Sequence, residues 1–326
     1  MAAVPTSAPP AGPRRSRGAR NRLTPGRLLF FALFLGLPLL VYVLFVVSPF
    51  LQAFYYSLTD WRGLSQAPRF IGLDNYVSLF QDPGFRRALA NNLIYMIVLP
   101  TITITLAFAL AVLVTVGGDS RGRIQGIRGA TIYRVVSFFP YVIPAVVVGI
   151  LFAFIYSPNG GLLNGILNVP LGLFGQEVHI GWLGDRRFAL AAIIAAVVWS
   201  LVGFYMVLFV AAIKSVPAEV IEAARIDGAG RLRLAVGVIL PMVRENVSTA
   251  AVYMGILALD MFVYVSVMTP TGGIGKSTDV VSRLLYETAF TSSQFGRASA
   301  MGVVMALLTM LMAVIVLFST RERERR

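Results

Sequence analysis

The chain has 326 residues, of which 57% are hydrophobic and only 13% are charged, with a net charge of +13 and a mean hydropathy of +0.77. Because a soluble domain carries roughly 25% charged residues, this composition excludes an ordinary soluble protein and indicates a polytopic membrane protein, whose apolar surface is covered by lipid. The absence of cysteine and the single histidine, His179, exclude a disulfide framework, a thiolate nucleophile and the common Cys- or His-based metal sites.

The first 27 residues are rich in Pro, Ala, Gly and Arg, and they contain six arginines and no acidic residue. This composition is typical of a disordered segment, and basic charge ahead of the first apolar run predicts a cytoplasmic location. The apolar run that follows is too long for a secretory signal, and no small-residue cleavage site is evident. We therefore predict a disordered basic cytoplasmic tail at residues 1–27, and we do not expect it to bind nucleic acid.

Six apolar runs follow, and each is long enough to cross a bilayer, which takes about 20 helical residues. If the N-terminus lies inside, 19 of the 28 Lys and Arg residues fall in cytoplasmic segments and nine in outer loops. Since cytoplasmic loops carry the excess of Lys and Arg, we predict that both termini are cytoplasmic, with a short tail at 320–326. The spans form one predicted transmembrane domain, residues 28–319. They lie near residues 28–52, 92–116, 132–156, 189–213, 246–268 and 297–319.

The first outer loop, residues 57–90, alternates aromatic and polar residues, which predicts a folded cap lying on the membrane. Its Asp74, Asn75 and Tyr76 are expected to pack this cap, and contact with a partner is the alternative.

The third predicted span contains two prolines, Pro140 and Pro144. Each removes an intrahelical hydrogen bond and permits a kink. The kink either changes its angle during gating or is a static bend of the kind common in membrane helices.

The loop between the fourth and fifth spans, residues 215–243, is a long charged amphipathic segment between two very apolar ones. We call it the coupling segment. Pro217 suits the first turn of a short helix, where its missing N–H is not needed. Asp227-Gly228 ends that helix, because glycine accepts turn geometry that other residues resist. Helical periodicity then resumes and runs to Pro241, so the pattern predicts helix, tight turn and helix at a membrane surface.

The first helix of the coupling segment has features suited to contact with another protein. Ala223 and Ala224 are small and let another surface come close, and the adjacent Glu222 can pair with a cation on that surface. The alternative is an interfacial amphipathic helix that only anchors a loop.

The amino-acid sequence of this segment, with EAARIDGAG at 222–230 followed by ILP at 239–241, resembles the EAA loop of ABC-importer permeases. The likeness is to the sugar-permease branch, of the maltose and glycerol-phosphate type. It continues through FIGLDNYVSLFQDPGFRRALANN in the first outer loop and RLLYETAFTSSQFGRASAMGVVMAL near the C-terminus. The residues that match in the coupling segment are Glu222, Ala223, Ala224, Asp227, Gly228, Ala229, Ile239, Leu240 and Pro241.

The resemblance implies an all-α polytopic membrane protein of the type I importer permease kind, with six transmembrane helices and a cytoplasmic coupling helix. It implies a plasma-membrane subunit that imports a carbohydrate, such as a di- or oligosaccharide or an amino sugar. The implied partners are a second permease subunit, expected to be a different chain, two ATP-binding cassette ATPase subunits and an extracytoplasmic sugar-binding protein. ATP hydrolysis would belong to the ATPases, so we expect this chain to be no enzyme and to need no cofactor.

In the family that this chain resembles, the coupling helix docks into a cleft on the ATPase. The resemblance therefore implies the ATPase-coupling residues. They are Glu222, Ala223, Ala224, Asp227 and Gly228.

The fifth predicted span contains a carboxylate, Asp260, and an ionisable group there is costly and normally faces a cavity or a partner. At about 100° per residue, Asp260 shares one narrow stripe with several hydroxyl and amide side chains. The stripe either lines a hydrophilic path for sugar hydroxyls or forms a hydrogen-bonded seam between helices. Its members are Asn246, Thr249, Tyr253, Asp260 and Tyr264.

One short motif is misleading. Gly275-Lys276-Ser277 looks like the end of a phosphate-binding P-loop, but Pro270 stands where the pattern requires its first glycine. The segment also falls in a predicted outer loop, so we reject nucleotide binding there.

The main alternative from another functional class is a secondary transporter driven by an ion gradient. Such proteins usually carry several ionisable groups at mid-membrane and show repeated halves, whereas no repeat is evident in this sequence. A membrane enzyme is disfavoured, because the sequence lacks a metal-ligand cluster and a G-x-S-x-G elbow.

Overall fold

The computed structural model describes residues 25–63, 67–116 and 129–324. Most of the predicted N-terminal tail, the basic loop at 117–128 and the last two residues lie outside these ranges. The described residues are helical apart from turns and one isolated β-bridge between Thr59 and Phe70.

The helices are numbered here in chain order. They are α1 (Leu29–Ser57), α2 (Asp74–Gln81), α3 (Pro83–Val116), α4 (Ala130–Val142), α5 (Ala145–Ile155), α6 (Leu162–Gly172), α7 (Ala189–Lys214), α8 (Ala218–Ile226), α9 (Arg231–Met242), α10 (Arg244–Leu259), α11 (Phe262–Met268), α12 (Val281–Tyr286) and α13 (Phe295–Glu324).

The chain divides into a unit of residues 1–52 and a unit of residues 53–326. The first unit, described from residue 25, is helical, with π-helical turns at Ala32–Gly36 and Val43–Val47. Its large apolar side chains are exposed, which suits a helix that faces lipid.

In the described residues, α1, α3, α7 and α13 are each long and apolar enough to cross a membrane, and two bent helix pairs raise the number to six if each pair is one span. The pair α4–α5 bends by 97° and the pair α9–α10 by 77°. The first bend lies at Ile143 and Pro144, so the structure has two helices where the sequence predicts one kinked span. The fifth predicted span is likewise interrupted, since α10 ends at Leu259 and α11 begins at Phe262.

Helix α3 begins nine residues before the second predicted span. Pro83 stands at its first position, and the Asp82 carboxylate accepts a 2.7 Å hydrogen bond from the Gly84 N–H. An acidic N-cap followed by proline is a strong helix start. The extra turns bring Phe85 and Ala88 against α2 and α13 at one end of the bundle, where both are fully buried.

The core of the second unit lies between α3, α7 and α10. Tyr95 and Leu99 of α3, Val197 and Phe209 of α7 and Met254 of α10 are fully buried in one cluster. In a membrane, helices associate through close packing instead of a hydrophobic driving force, and small residues allow that packing.

The first outer loop is packed as the sequence predicts for Asn75 and Tyr76. The Asn75 amide donates 2.8 Å hydrogen bonds to the carbonyl oxygens of Ser57 and Thr59. The Tyr76 hydroxyl lies 2.7 Å from the Ser57 hydroxyl, whereas Asp74 is exposed on the first turn of α2.

The P-loop-like motif is part of a structural ion network. Asp279 is 1% exposed and pairs with Arg283, at 2.6 Å between Oδ2 and Nη2, and the hydrogen bond raises the pKa of Arg283. The Lys276 ammonium lies 3.5 Å from Asp279 and 3.7 Å from Glu287. Gly272 and Gly273 have positive φ, and an added Cβ at Gly272 would lie 2.5 Å from the Asp279 carboxyl carbon. The glycines therefore serve the packing of this loop, and the lysine is held by carboxylates.

Helices α4 and α7 touch through their backbones at Gly203. A Cβ built on Gly203 would lie 1.6 Å from the Ser137 carbonyl oxygen, and no rotamer change can relieve contact with a backbone atom. We predict that Gly203→Val destabilises the protein by about 3 kcal/mol or more, at the upper end of the cost of overpacking. Thermal unfolding in detergent measures the effect.

Gly36→Val is the matched control, since nothing lies within 4 Å of a Cβ at that helical glycine. If Gly203→Val unfolded at the same temperature as the native and Gly36→Val proteins, that result would contradict the close contact of α4 and α7.

Candidate coupling segment and substrate path

The coupling segment forms the predicted helix, turn and helix as α8, a turn and α9. Asp227 and Gly228 end α8, and Gly228 has a φ of +77°. The Gly228 N–H donates to the Arg225 carbonyl at 3.0 Å, and the Ala229 N–H donates to the Ala224 carbonyl at 2.9 Å. This is the Schellman arrangement, in which a glycine in the left-handed conformation ends the helix.

One face of α8 is fixed to the transmembrane bundle. Ile221 is fully buried, in the same cluster as Ile213, Leu234 and Ile239. The Arg225 guanidinium donates a 3.0 Å hydrogen bond to the carbonyl of Val116, the last residue of α3. These contacts attach α8 to the cluster and to the end of α3.

The other face of α8 is open. Ile226 is 87% exposed and Leu232, beyond the turn, is 78% exposed. Exposed apolar side chains beside charged ones are available for contact with another protein. No sequence pattern selects these two residues, although their position on either side of the Gly228 turn is visible in the sequence.

The structure places the five predicted coupling residues on one helix and its closing turn. Ala223, Asp227 and Gly228 are exposed, whereas Glu222 and Ala224 are half-buried. Ala224 packs against the buried cluster that contains Ile221, so the open face carries Ala223, Asp227 and Gly228, with the half-buried Glu222 at its edge.

The five stripe residues of the fifth span line two adjoining cavities. Asn246, Thr249 and Tyr253 line a cavity of about 540 Å³, and Tyr253, Asp260 and Tyr264 line another of about 670 Å³. Tyr253 lines both cavities, so the stripe passes from one cavity to the other at this residue.

Other helices complete these cavities. Tyr141 of α4 lines both, and its ring stacks on Phe204 of α7 with centroids 4.5 Å apart. Ser200 of α7 lines the larger cavity, and its hydroxyl lies 3.1 Å from the Tyr264 hydroxyl. Tyr264 therefore takes part in a hydrogen bond between helices while it also borders the cavity. A periodicity within one helix cannot identify partners on another, so Tyr141, Ser200 and Phe204 were missed.

The interruption between α4 and α5 and the one between α10 and α11 both border the larger cavity. Ile143 and Pro144 lie at the first interruption and Asp260 at the second, and all three line the cavity. Non-helical backbone at membrane depth is tolerated where it lines a cavity or is buried in protein. Substrate and ion sites of transporters are typically built at such discontinuous helices.

Asp260 is exposed within the cavity wall, and no ion pair of its carboxylate occurs among the described residues. A carboxylate with free acceptor capacity beside hydroxyls and aromatic rings can hydrogen-bond a polyhydroxylated ligand. Within the described ranges, no three His, Cys, Asp or Glu side chains come together as metal ligands.

The sequence profile of the family described as "Binding-protein-dependent transport system inner membrane component" matches residues 120–326. The diacetylchitobiose uptake system permease protein NgcF of Streptomyces coelicolor is 49% identical over 313 residues, which are 96% of this chain and 88% of the relative. The lactose transport system permease protein LacF of Rhizobium radiobacter is 30% identical over 282 residues, 86% of this chain and 90% of the relative.

Among solved structures, a chain of a bacterial alginate ABC transporter, in complex with an alginate pentasaccharide-bound periplasmic protein, is similar in fold. The TM-score is 0.74 at 22% identity, over 90% of this chain and 94% of that chain.

Proposed function

This chain belongs to the family of inner membrane components of binding-protein-dependent transport systems, and from that premise we propose that it is the permease subunit of an ABC importer for a carbohydrate. The predicted all-α permease fold is confirmed by the family match and by the fold likeness to the alginate transporter. The prediction of a membrane-embedded transport subunit that is not an enzyme is confirmed as well. An ion-driven secondary transporter is not favoured.

The observation that carries the carbohydrate assignment is the 49% identity, over 96% of this chain, to a permease named for diacetylchitobiose uptake. The proposed substrate is an amino-sugar disaccharide or a similar short oligosaccharide. The two cavities suit this class, since aromatic faces such as the Tyr141–Phe204 stack cover the apolar side of a sugar ring and hydroxyl and carboxylate groups bind its polar edge.

We further propose that the stripe from Asn246 to Tyr264 is the sugar path. Four of its five residues, all except Tyr264, are exposed, and the stripe extends along α10 past the interruption at Asp260. The interruption supports this role, because it frees Asp260 from a regular helix position and turns it into the cavity.

The proposed partners follow from the family and from the coupling segment. A second permease, two ATPases and an external sugar-binding protein would complete the importer. Glu222, Ala223, Ala224, Asp227 and Gly228 would contact an ATPase, with Ile226 and Leu232 as apolar anchors. This arrangement requires the coupling segment, and with it both termini, to lie in the cytoplasm.

The whole proposal is tested with purified subunits in proteoliposomes that contain ATP. Uptake of labelled N,N′-diacetylchitobiose should require ATP inside and a sugar-binding protein outside. Uptake by this subunit alone under a proton gradient would instead establish the secondary transporter.

Glu222→Lys should uncouple the importer, because it reverses the charge at the edge of the open face of α8. We expect sugar-stimulated ATP hydrolysis and uptake to fall by about tenfold or more, which corresponds to about 1.4 kcal/mol of lost coupling. Insertion in the membrane should be unchanged.

Glu219→Lys is the matched control, since it makes the same charge change on the exposed first turn of the same helix. Normal coupling in Glu222→Lys, or equal loss in both variants, would count against Glu222 as a contact residue.

Asp260→Leu should lower uptake several-fold, because the cavity loses its carboxylate acceptor, while Asp260→Asn keeps hydrogen-bonding capacity and should lose less. Initial uptake rates at several sugar concentrations separate affinity from turnover. If uptake and the range of accepted sugars are unchanged in Asp260→Leu, Asp260 has a structural role only.

A further inference from the structure

Helix α6, Leu162–Gly172, is a short helix between the third and fourth predicted spans and contains no charged residue. Its 11 residues extend about 16 Å at 1.5 Å per residue, roughly half of the hydrocarbon thickness. One span, α7, separates it from α8, so α6 lies on the side of the membrane opposite the coupling segment.

The polar face of α6 is bound to its own loop. Asn164 is 2% exposed, and its amide donates to the Ile180 carbonyl at 3.0 Å and accepts from the Trp182 indole N–H at 2.9 Å. Asn168 accepts from the Val178 N–H at 2.7 Å and donates to the Val178 carbonyl at 3.1 Å. These bonds fix the rotation of α6 about its axis.

The opposite face of α6 is a row of large aliphatic side chains. Leu162, Ile166, Val169 and Leu173 recur at helical spacing, and each is more than half exposed. Exposure of this row to water would be unfavourable, since removing apolar surface from water is favourable.

The surroundings of the row indicate lipid. Helix α5, whose Ile150 and Phe154 are exposed, ends at Ile155 and α6 begins at Leu162, so α6 starts close to the end of the third predicted span. The charged residues of the loop all follow the helix, beginning with Glu177. Among them, hydrogen bonds from Arg187 lower the pKa of Asp185, which keeps the pair ionised on the hydrated side.

Helix α2, in the first predicted outer loop, also has one hydrogen-bonded face and one exposed apolar face. Asn75 binds two carbonyls on its inner face, while Leu73, Val77 and Phe80 are exposed at helical spacing. In each of these two short helices, asparagine side chains on one face are hydrogen-bonded to backbone carbonyls, and the large apolar side chains on the other face are exposed.

We propose that α6 is an interfacial helix that inserts Leu162, Ile166, Val169 and Leu173 at the headgroup–acyl boundary of the leaflet opposite the coupling segment. Such helices lie in the interface plane with the apolar face in the acyl region. The bound ligand is phospholipid, and the helix holds the connection between the third and fourth spans at the membrane surface.

Spin labels on single cysteines test the proposal, and this chain has no cysteine to remove. Ile166→Cys and Val169→Cys are labelled in the assembled importer in phospholipid nanodiscs, with cysteine-free partner subunits. The ratio of collisions with oxygen to collisions with a water-soluble nickel chelate should be several-fold higher at both positions than at Glu177→Cys, an exposed control in the same loop.

A ratio equal to that at Glu177→Cys would show that the row faces water and would overturn the proposal. Low accessibility to both reagents would show that a protein, either the second permease or the binding protein, covers the row, and would overturn it too. A single symmetric peak in size-exclusion chromatography, at the elution volume of the native complex, confirms that each labelled variant is folded. The collision ratio does not depend on ATP coupling or on the sugar, so the outcome is separate from that of the proposed function.

Discussion

Inside a bilayer no water is available to backbone N–H and C=O groups, so each must be paired within the protein. This constraint explains why the described spans are helical and why an interruption needs compensation. At the end of α10, the Asn92 amide donates a 2.9 Å hydrogen bond to the Leu259 carbonyl, while its Oδ1 accepts from the Val281 N–H at 2.8 Å. A buried asparagine on α3 thus satisfies a carbonyl freed beside Asp260 and an N–H at the start of α12.

The same helix, α3, reaches both candidate functional regions. Asn92 supports the interruption at Asp260, and Val116 at the other end accepts the hydrogen bond from Arg225 of α8. The 24 residues between these two positions extend about 36 Å at 1.5 Å per residue. A rigid element therefore connects the proposed ATPase contact with the wall of the proposed sugar path, although the two are far apart in the chain.

Close backbone contacts limit which parts can move separately. Gly203 holds α4 against α7, and Gly149 places α5 against Val267 of α11, where an added Cβ would lie 2.9 Å from a methyl group. The interruptions at Pro144 and Asp260 separate α4 from α5 and α10 from α11. The two half-helices beyond the interruptions, α5 and α11, pack on one another and border the larger cavity, whereas α4 remains bound to α7.

The sequence alone determined the helical fold, the apolar runs, the turn at Gly228 in the coupling segment and the helical spacing of the stripe from Asn246 to Tyr264. These are local properties, since composition, helical periodicity and a glycine turn depend on neighbours in the chain. Only the tertiary structure decided that α4 and α5 are bent by 97°, that Asp260 lies at an interruption, and that Tyr141, Ser200 and Phe204 complete the cavities. The prolines permitted a kink without specifying its angle, and no local pattern identifies a partner on another helix, because that depends on how the helices pack.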